Sequence, residues 1–177
     1  MNWPILLPHE LLASLYSGYK DEFDKFWLGS APLASWWGHV PDDDPRLQGH
    51  PVRRLDNFRN SVIPIRLHGD GVPVGKAKGR SMDLLTINSL TGNRGSSWDR
   101  TLMLFAMIDS IKTKGGPNNE QTMDKIWNIL LWSFACCLQG KWPKLDWNKE
   151  PLQGWRAERA GQDLVGVLRV GRCSTYR

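Results

Sequence analysis

Apolar residues recur along this chain in more than one rhythm, and the change of rhythm divides it. Near the start, Leu11, Leu12, Leu15, Tyr16 and Tyr19 follow one another at helical spacing. Pro8 and Glu10 suit the first turn of that helix, and Gly18 is placed to bend or break it. Phe23, Phe26 and Trp27 mark a second apolar face closed by Gly29, and Leu33, Trp36 and Trp37 predict a further short turn. From residue 61 the preference changes. Val62, Ile63, Ile65 and Leu67 are β-formers and predict a strand over 61–68. Pro64 gives up one ladder donor, so it needs an edge, a bulge or an unpaired position. A second strand is expected over 82–90. Residues 101–111 (TLMLFAMIDSI) fit either period and are read here as a third strand. Residues 122–138 give the clearest helix. Asp124, Lys125 and Asn128 provide a polar stripe in its first half, and only Ser133 interrupts the second, so it belongs deep in a core. Gly140 and Pro143 mark its stop. A short helix over 155–162 and a fourth strand over 164–170 (LVGVLRV) complete the pattern.

The predicted class is therefore α+β. A helical and irregular N-terminal preface spans 1–60. A unit over 61–177 follows in the order strand, strand, strand, buried helix, strand, which is the order of the opening half of a ribonuclease H-like fold.

The segments between these elements carry the candidate chemistry. Gly69-Asp70-Gly71 is a strong turn signal after the first strand, and it places Asp70 at a pivot. Lys76, Lys78 and Arg80 lie in a glycine-containing basic crossing and are candidate phosphate contacts. Asp42, Asp43 and Asp44 sit between prolines, where consecutive acids read as a solvated loop or a helix cap, and His50 before Pro51 reads as loop.

Composition adds limits. The net charge of +5 suits a nucleic-acid partner without requiring one. Ten tryptophans imply that several are buried, each with an N–H to satisfy. Three cysteines, two of them adjacent at Cys136 and Cys137, form neither a disulfide framework nor a zinc motif, and a reducing, intracellular compartment is expected. The longest apolar run, 129–138, is too short to cross a bilayer, and residues 1–7 do not make a signal peptide. No phosphate-binding loop, dinucleotide fingerprint or nucleophile elbow is present.

Several stretches together resemble a known group. They are Leu7-Pro8-His9-Glu10-Leu11, Asp44-Pro45-Arg46-Leu47-Gln48-Gly49-His50-Pro51-Val52 and Ile63-Pro64-Ile65-Arg66-Leu67-His68-Gly69-Asp70-Gly71-Val72-Pro73-Val74. Thr122-Met123-Asp124-Lys125-Ile126-Trp127, Leu131-Trp132-Ser133 and Arg156-Ala157-Glu158-Arg159-Ala160-Gly161 before Gly166-Val167-Leu168 follow in order. The chain resembles transposon-derived proteins of dinoflagellate-type genomes, akin to the Plavaka-like branch of DDE transposases. The resemblance covers most of the chain, and its most specific stretch is His68-Gly69-Asp70-Gly71.

That resemblance implies a ribonuclease H-like core in which one Asp projects from the first strand, a second acid follows the fourth strand and a third comes from a later helix. Two divalent metals, Mg²⁺ by preference, would need all of these carboxylates. Asp70 matches the first acid, as catalytic residue and metal ligand. DNA would be the partner and the nucleus the location. The sequence departs from the pattern after Leu168, where Arg169-Val170-Gly171-Arg172-Cys173-Ser174-Thr175-Tyr176-Arg177 supplies no acid. Asp163 precedes the fourth strand, and Asp83 and Asp109 lie on or near others. The expectation is a truncated, catalytically incomplete copy that self-associates through an exposed strand edge. The alternative is a non-catalytic nucleic-acid- or protein-binding module with no enzymatic ancestry.

Overall fold

The structure, a computed structural model, describes residues 4–75, 81–93, 95–112, 121–166 and 169–172. Its helices are α1 (Pro8–Gly18), α2 (Lys20–Phe23), α3 (Leu33–Trp37), α4 (Phe58–Ser61), α5 (Ser97–Arg100), α6 (Thr122–Gln139) and α7 (Trp155–Arg159). The strands are β1 (Val62–Pro73), β2 (Ser81–Ser89), β3 (Leu102–Ile108) and β4 (Arg169–Arg172). A π-helical turn, Asp24–Leu28, continues α2. It stops at Gly29, as the sequence led one to expect.

One sheet carries the fold, in the order β3-β2-β1-β4. β1, β2 and β3 form an antiparallel meander, and β4 returns parallel to β1. Pleating sends alternate residues to opposite faces. Ile63, Ile65 and Leu67 of β1 share the inner face with Leu85, Ile87 and Phe105, and these positions are buried or nearly so. At the β2–β3 ladder the register slips by one residue between Leu85 and Thr86. That bulge lets neighbouring Leu104 and Phe105 both reach the core, although strict alternation would expose one of them.

α6 forms where its apolar density predicts. Asp124 accepts a hydrogen bond from the Gln121 N–H at its start, and Gly140 closes it in the left-handed conformation. Ile126, Leu130, Phe134 and Cys137 are buried in the same core as Leu12, Phe23, Trp27, Trp37 and Val52 from the first sixty residues. Burial pushes the Cys136 thiol up to about 11 and that of Cys137 higher still, which leaves both as unreactive core side chains.

Two expectations from the sequence need correction. β1 does not end at His68. It runs in extended conformation through Gly69, Asp70 and Gly71 to Pro73, because β2 offers partners along that whole length, Ile65 with Ser89 through Pro73 with Ser81. Asp70 is thus a strand residue and no turn pivot. The fourth strand also lies later than 164–170. Leu164 and Val165 are buried, but Leu164 donates its N–H to the Gly140 carbonyl, and Gly166 (φ +61°) turns the chain before β4 begins.

The acid stretch behaves as caps and loops do. Asp44 accepts from the Arg46 N–H at the start of a 3-10 turn, Pro45–Leu47, and the Arg46 side chain bonds back to it, which holds its carboxyl near 2. Asp42 is exposed and paired with Arg59. His50 caps the next turn through Nδ1, which accepts from the Val52 N–H.

Candidate functional site

Asp70 faces solvent on the outer side of the sheet, opposite Leu84 of β2. Its row-mates on β1 are Arg66, His68 and Val72, because residues two apart share a face. Among the described residues no hydrogen bond or ion pair reaches the Asp70 carboxylate.

The other acids do not join it. Asp83 pairs with Gly71 and Met107, so its side chain leaves the opposite, inner face. There the Lys112 ammonium binds it, and also binds Asp109 at 2.8 Å. Burial pulls the Lys112 pKa down, but hydrogen bonds to Asp109 and Asp83 outweigh it, and the net shift is upward. These two carboxylates already hold a cation supplied by the chain itself. Asp163 pairs with Lys141 at 2.7 Å beside the end of α6, ahead of β4. Among the described residues no group of three or more His, Cys, Asp or Glu side chains is arranged to hold a metal. Asp70 stands there as one carboxylate, a donor set that does not fit a pair of divalent ions. Lys76, Lys78 and Arg80 lie outside the described residues.

A second polar constellation went unnoticed in the sequence. The Ser133 hydroxyl lies 2.7 Å from His9 Nδ1 and accepts the His9 backbone N–H at 3.2 Å. The hydroxyl and Nδ1 share one hydrogen bond, whose donor is set by the imidazole tautomer. Glu10 Oε1 stands 4.0 Å from Nε2 and is itself bound by Arg156. Serine, histidine and glutamate suggest a nucleophile with its base. Ser133 has no solvent exposure and His9 only 1%, however, and the rings of Trp132 and Trp142 cover the imidazole edge-on. No substrate reaches this hydroxyl, so the group is a clasp that ties α1 to α6. The one hint in the sequence was Ser133 itself, the sole break in the apolar second half of the helix.

The clasp carries a pH signature. Burial lowers the His9 pKa from 6.5 to about 4; Glu10 opposes that shift and Arg156 adds to it. Between those values the unfolded chain binds a proton that the folded chain refuses, so stability rises with pH across this window. The contribution is complete above pH 6.5 and is lost as pH falls toward 4. It amounts to roughly 3 kcal/mol at most, at 1.36 kcal/mol per unit. Urea midpoints measured at pH 7 and pH 4.5 will show a steeper acid loss for the native chain than for His9→Gln.

Two shallow concavities among the described residues lie away from Asp70. A shallow groove of about 220 Å³ is lined by Ile5, Leu7, Ile129, Trp132, Trp147 and Arg156 among others, and by no strand residue. Among the described residues no helix is long and apolar enough to cross a membrane. Comparison of the chain with known protein families, with curated proteins and with solved structures finds no match to any of them.

Proposed function

We propose that this chain is a catalytically incomplete relative of metal-dependent DNA strand-transfer enzymes, built on part of a ribonuclease H-like core. The observation that carries the reading is the sheet. An antiparallel β1–β2–β3 meander, a long buried helix and a β4 returning parallel beside β1 give the order β3-β2-β1-β4, the arrangement expected of the opening half of that fold. Asp70 then stands on the first strand, where the first acid of such enzymes projects. The lone placement of its carboxylate, with Asp83 turned to the other face and neutralised by Lys112, supports the incompleteness. DNA is the proposed partner, in keeping with the net charge of +5, and the nucleus the proposed location. β4 lies at the margin of the sheet, which supports pairing of its edge with another chain.

A labelled duplex incubated with the protein and Mg²⁺ or Mn²⁺ tests this reading. The expected result is salt-sensitive binding without strand cleavage, unchanged in Asp70→Ala. Cleavage that Asp70→Ala abolishes would overturn the incompleteness. Failure to bind duplex at low salt would overturn the DNA assignment, and would favour the second reading, a protein-binding module. The open, partly apolar outer face of the sheet is the feature that speaks for that second reading.

A further inference from the structure

The outer face of the sheet is open over its centre. At the start of β1 it is covered, since Val62 and Pro64 are buried and Trp37 donates its Nε1–H to the Val62 carbonyl at 2.8 Å. Beyond that point the face carries three cross-strand rows. Arg66 lies opposite Asn88; His68 lies opposite Thr86 and then Met103; Asp70 lies opposite Leu84 and then Ala106. Arg66, His68, Asp70 and Ala106 are exposed, and Met103 is half exposed at 50%. Further along, Ile108 is exposed as well. Among the described residues no salt bridge involves Arg66 or Asp70.

The charges on this face are antisymmetric. Arg66 and Asp70 stand two residues to either side of His68, on one pleat of one strand. The two lie roughly 13 Å apart at the strand rise of about 3.4 Å per residue. We infer that this face is a dimerisation surface whose partner is a second copy of the same chain, related by a two-fold axis that runs parallel to the sheet, between the two facing copies and along the His68–Thr86–Met103 row. A half-turn about that axis brings each Arg66 over the partner copy's Asp70 position, and each Asp70 beneath a guanidinium. A two-fold interface must present one patch to itself, and this row of charges is complementary to its own reversed copy. Met103 fits the same operation and meets its own equivalent near the axis, while Leu84 lies over the partner copy's Asn88 position. Packed sheets stand about 10 Å apart and cross at about 30°, which displaces the facing charges by about 4 Å, within reach of an extended arginine. A nucleic-acid strand is a poorer occupant, because Asp70 sets a carboxylate on the face and, among the described residues, no Phe, Tyr or Trp ring lies on it.

This inference is independent of the proposed ancestry and of edge pairing by β4. Pairing of a strand edge runs through backbone groups and is insensitive to a charge exchange on the pleat. The test is sedimentation velocity of the full chain from about 1 to 100 µM. A reversible dimer is expected, weakened at least tenfold by Arg66→Asp alone and by Asp70→Arg alone, and restored when both substitutions are made together. All three variants alter exposed side chains, and circular dichroism will verify that each is folded. A measurement that needs no variant is amide exchange in the native chain. Protection confined to β2 and β3 about Thr86 and Met103 should grow with concentration. A monomer at 100 µM overturns the inference, and so does a dimer indifferent to the single substitutions or not rescued by the exchange. Concentration-independent exchange over those strands, or protection that arises only when a single-stranded oligonucleotide is added, also overturns it.

Discussion

Trp37→Ala will lower the stability of the chain by roughly 4 kcal/mol, within the range of about 3–5 known for the loss of a buried large aromatic ring. Trp37 is 2% exposed, and its ring meets those of Trp36 and Phe58 edge-on at 4.9 and 5.1 Å. The substitution empties that space and also strips the Val62 carbonyl of its donor, in the middle of the junction between α3 and the sheet. Trp37→Phe separates the two effects. It keeps most of the ring and loses only the hydrogen bond, at a cost of about 1–3 kcal/mol for the orphaned acceptor. Urea unfolding followed by circular dichroism measures both. For a chain of this size 4 kcal/mol corresponds to a fall on the order of 10 °C in the thermal midpoint. A Trp37→Ala midpoint close to the native one would mean that α3 does not pack as described.

Gly29→Ala is expected to be about as damaging, for a different reason. Gly29 has φ +76° and ψ −177°, a region that side chains avoid, and an added Cβ would stand 2.0 Å from the Thr91 carbonyl oxygen. The facing segment is as close from its own side, since a Cβ at Gly92 would fall 1.9 Å from the Phe26 oxygen. The two backbones cross at a pair of glycines. The crossing is fastened by the Ser89 and Thr91 hydroxyls, which both donate to the Trp27 carbonyl, at 2.6 and 2.8 Å. That carbonyl lies at the end of the π-helical turn, where it has no partner of its own in the helix. Strain and overlap together give roughly 4 kcal/mol. Gly49→Ala is the control. Gly49 also has positive φ (+69°), but a Cβ there meets nothing within 4 Å, so only the conformational cost of about 1 kcal/mol is expected. Equal losses at both positions would refute the close crossing.

How far the fold was legible depended on how local its causes are. α6 was readable because an 18-residue helix with so little polar surface has one place to go. The three meander strands were readable from β-formers between breakers. Asp70 was misplaced because Gly69 and Gly71 beside it are the local chemistry of a turn. What keeps that stretch extended is a nine-residue ladder to β2, which is a property of the pair. The face that Asp83 occupies depends on the register of that ladder, which no count along the sequence reveals. Lys112 was missed because its role arises only when β2 and the turn after β3 come together. The apolar run over 164–170 was read as one strand, but Leu164 and Val165 are buried ahead of a turn at Gly166, and β4 begins only at Arg169.

The clasp at the start of the chain has a consequence for the order of assembly. Leu6 donates to the Leu104 carbonyl, His9 joins Ser133, and Glu10 binds Arg156, a partner 146 positions away. α1 is made long before these partners and is therefore among the last elements to be secured. Until residue 156 has left the ribosome, α1 has no complete binding place, and Leu12, Phe23 and Trp27 wait without their core. Contacts of such separation slow folding and lengthen the time that apolar surface stays open to other chains. Cooling during expression, or a chaperone that holds the nascent N-terminus, should then raise the yield of folded protein more than any change to the surface of the finished one.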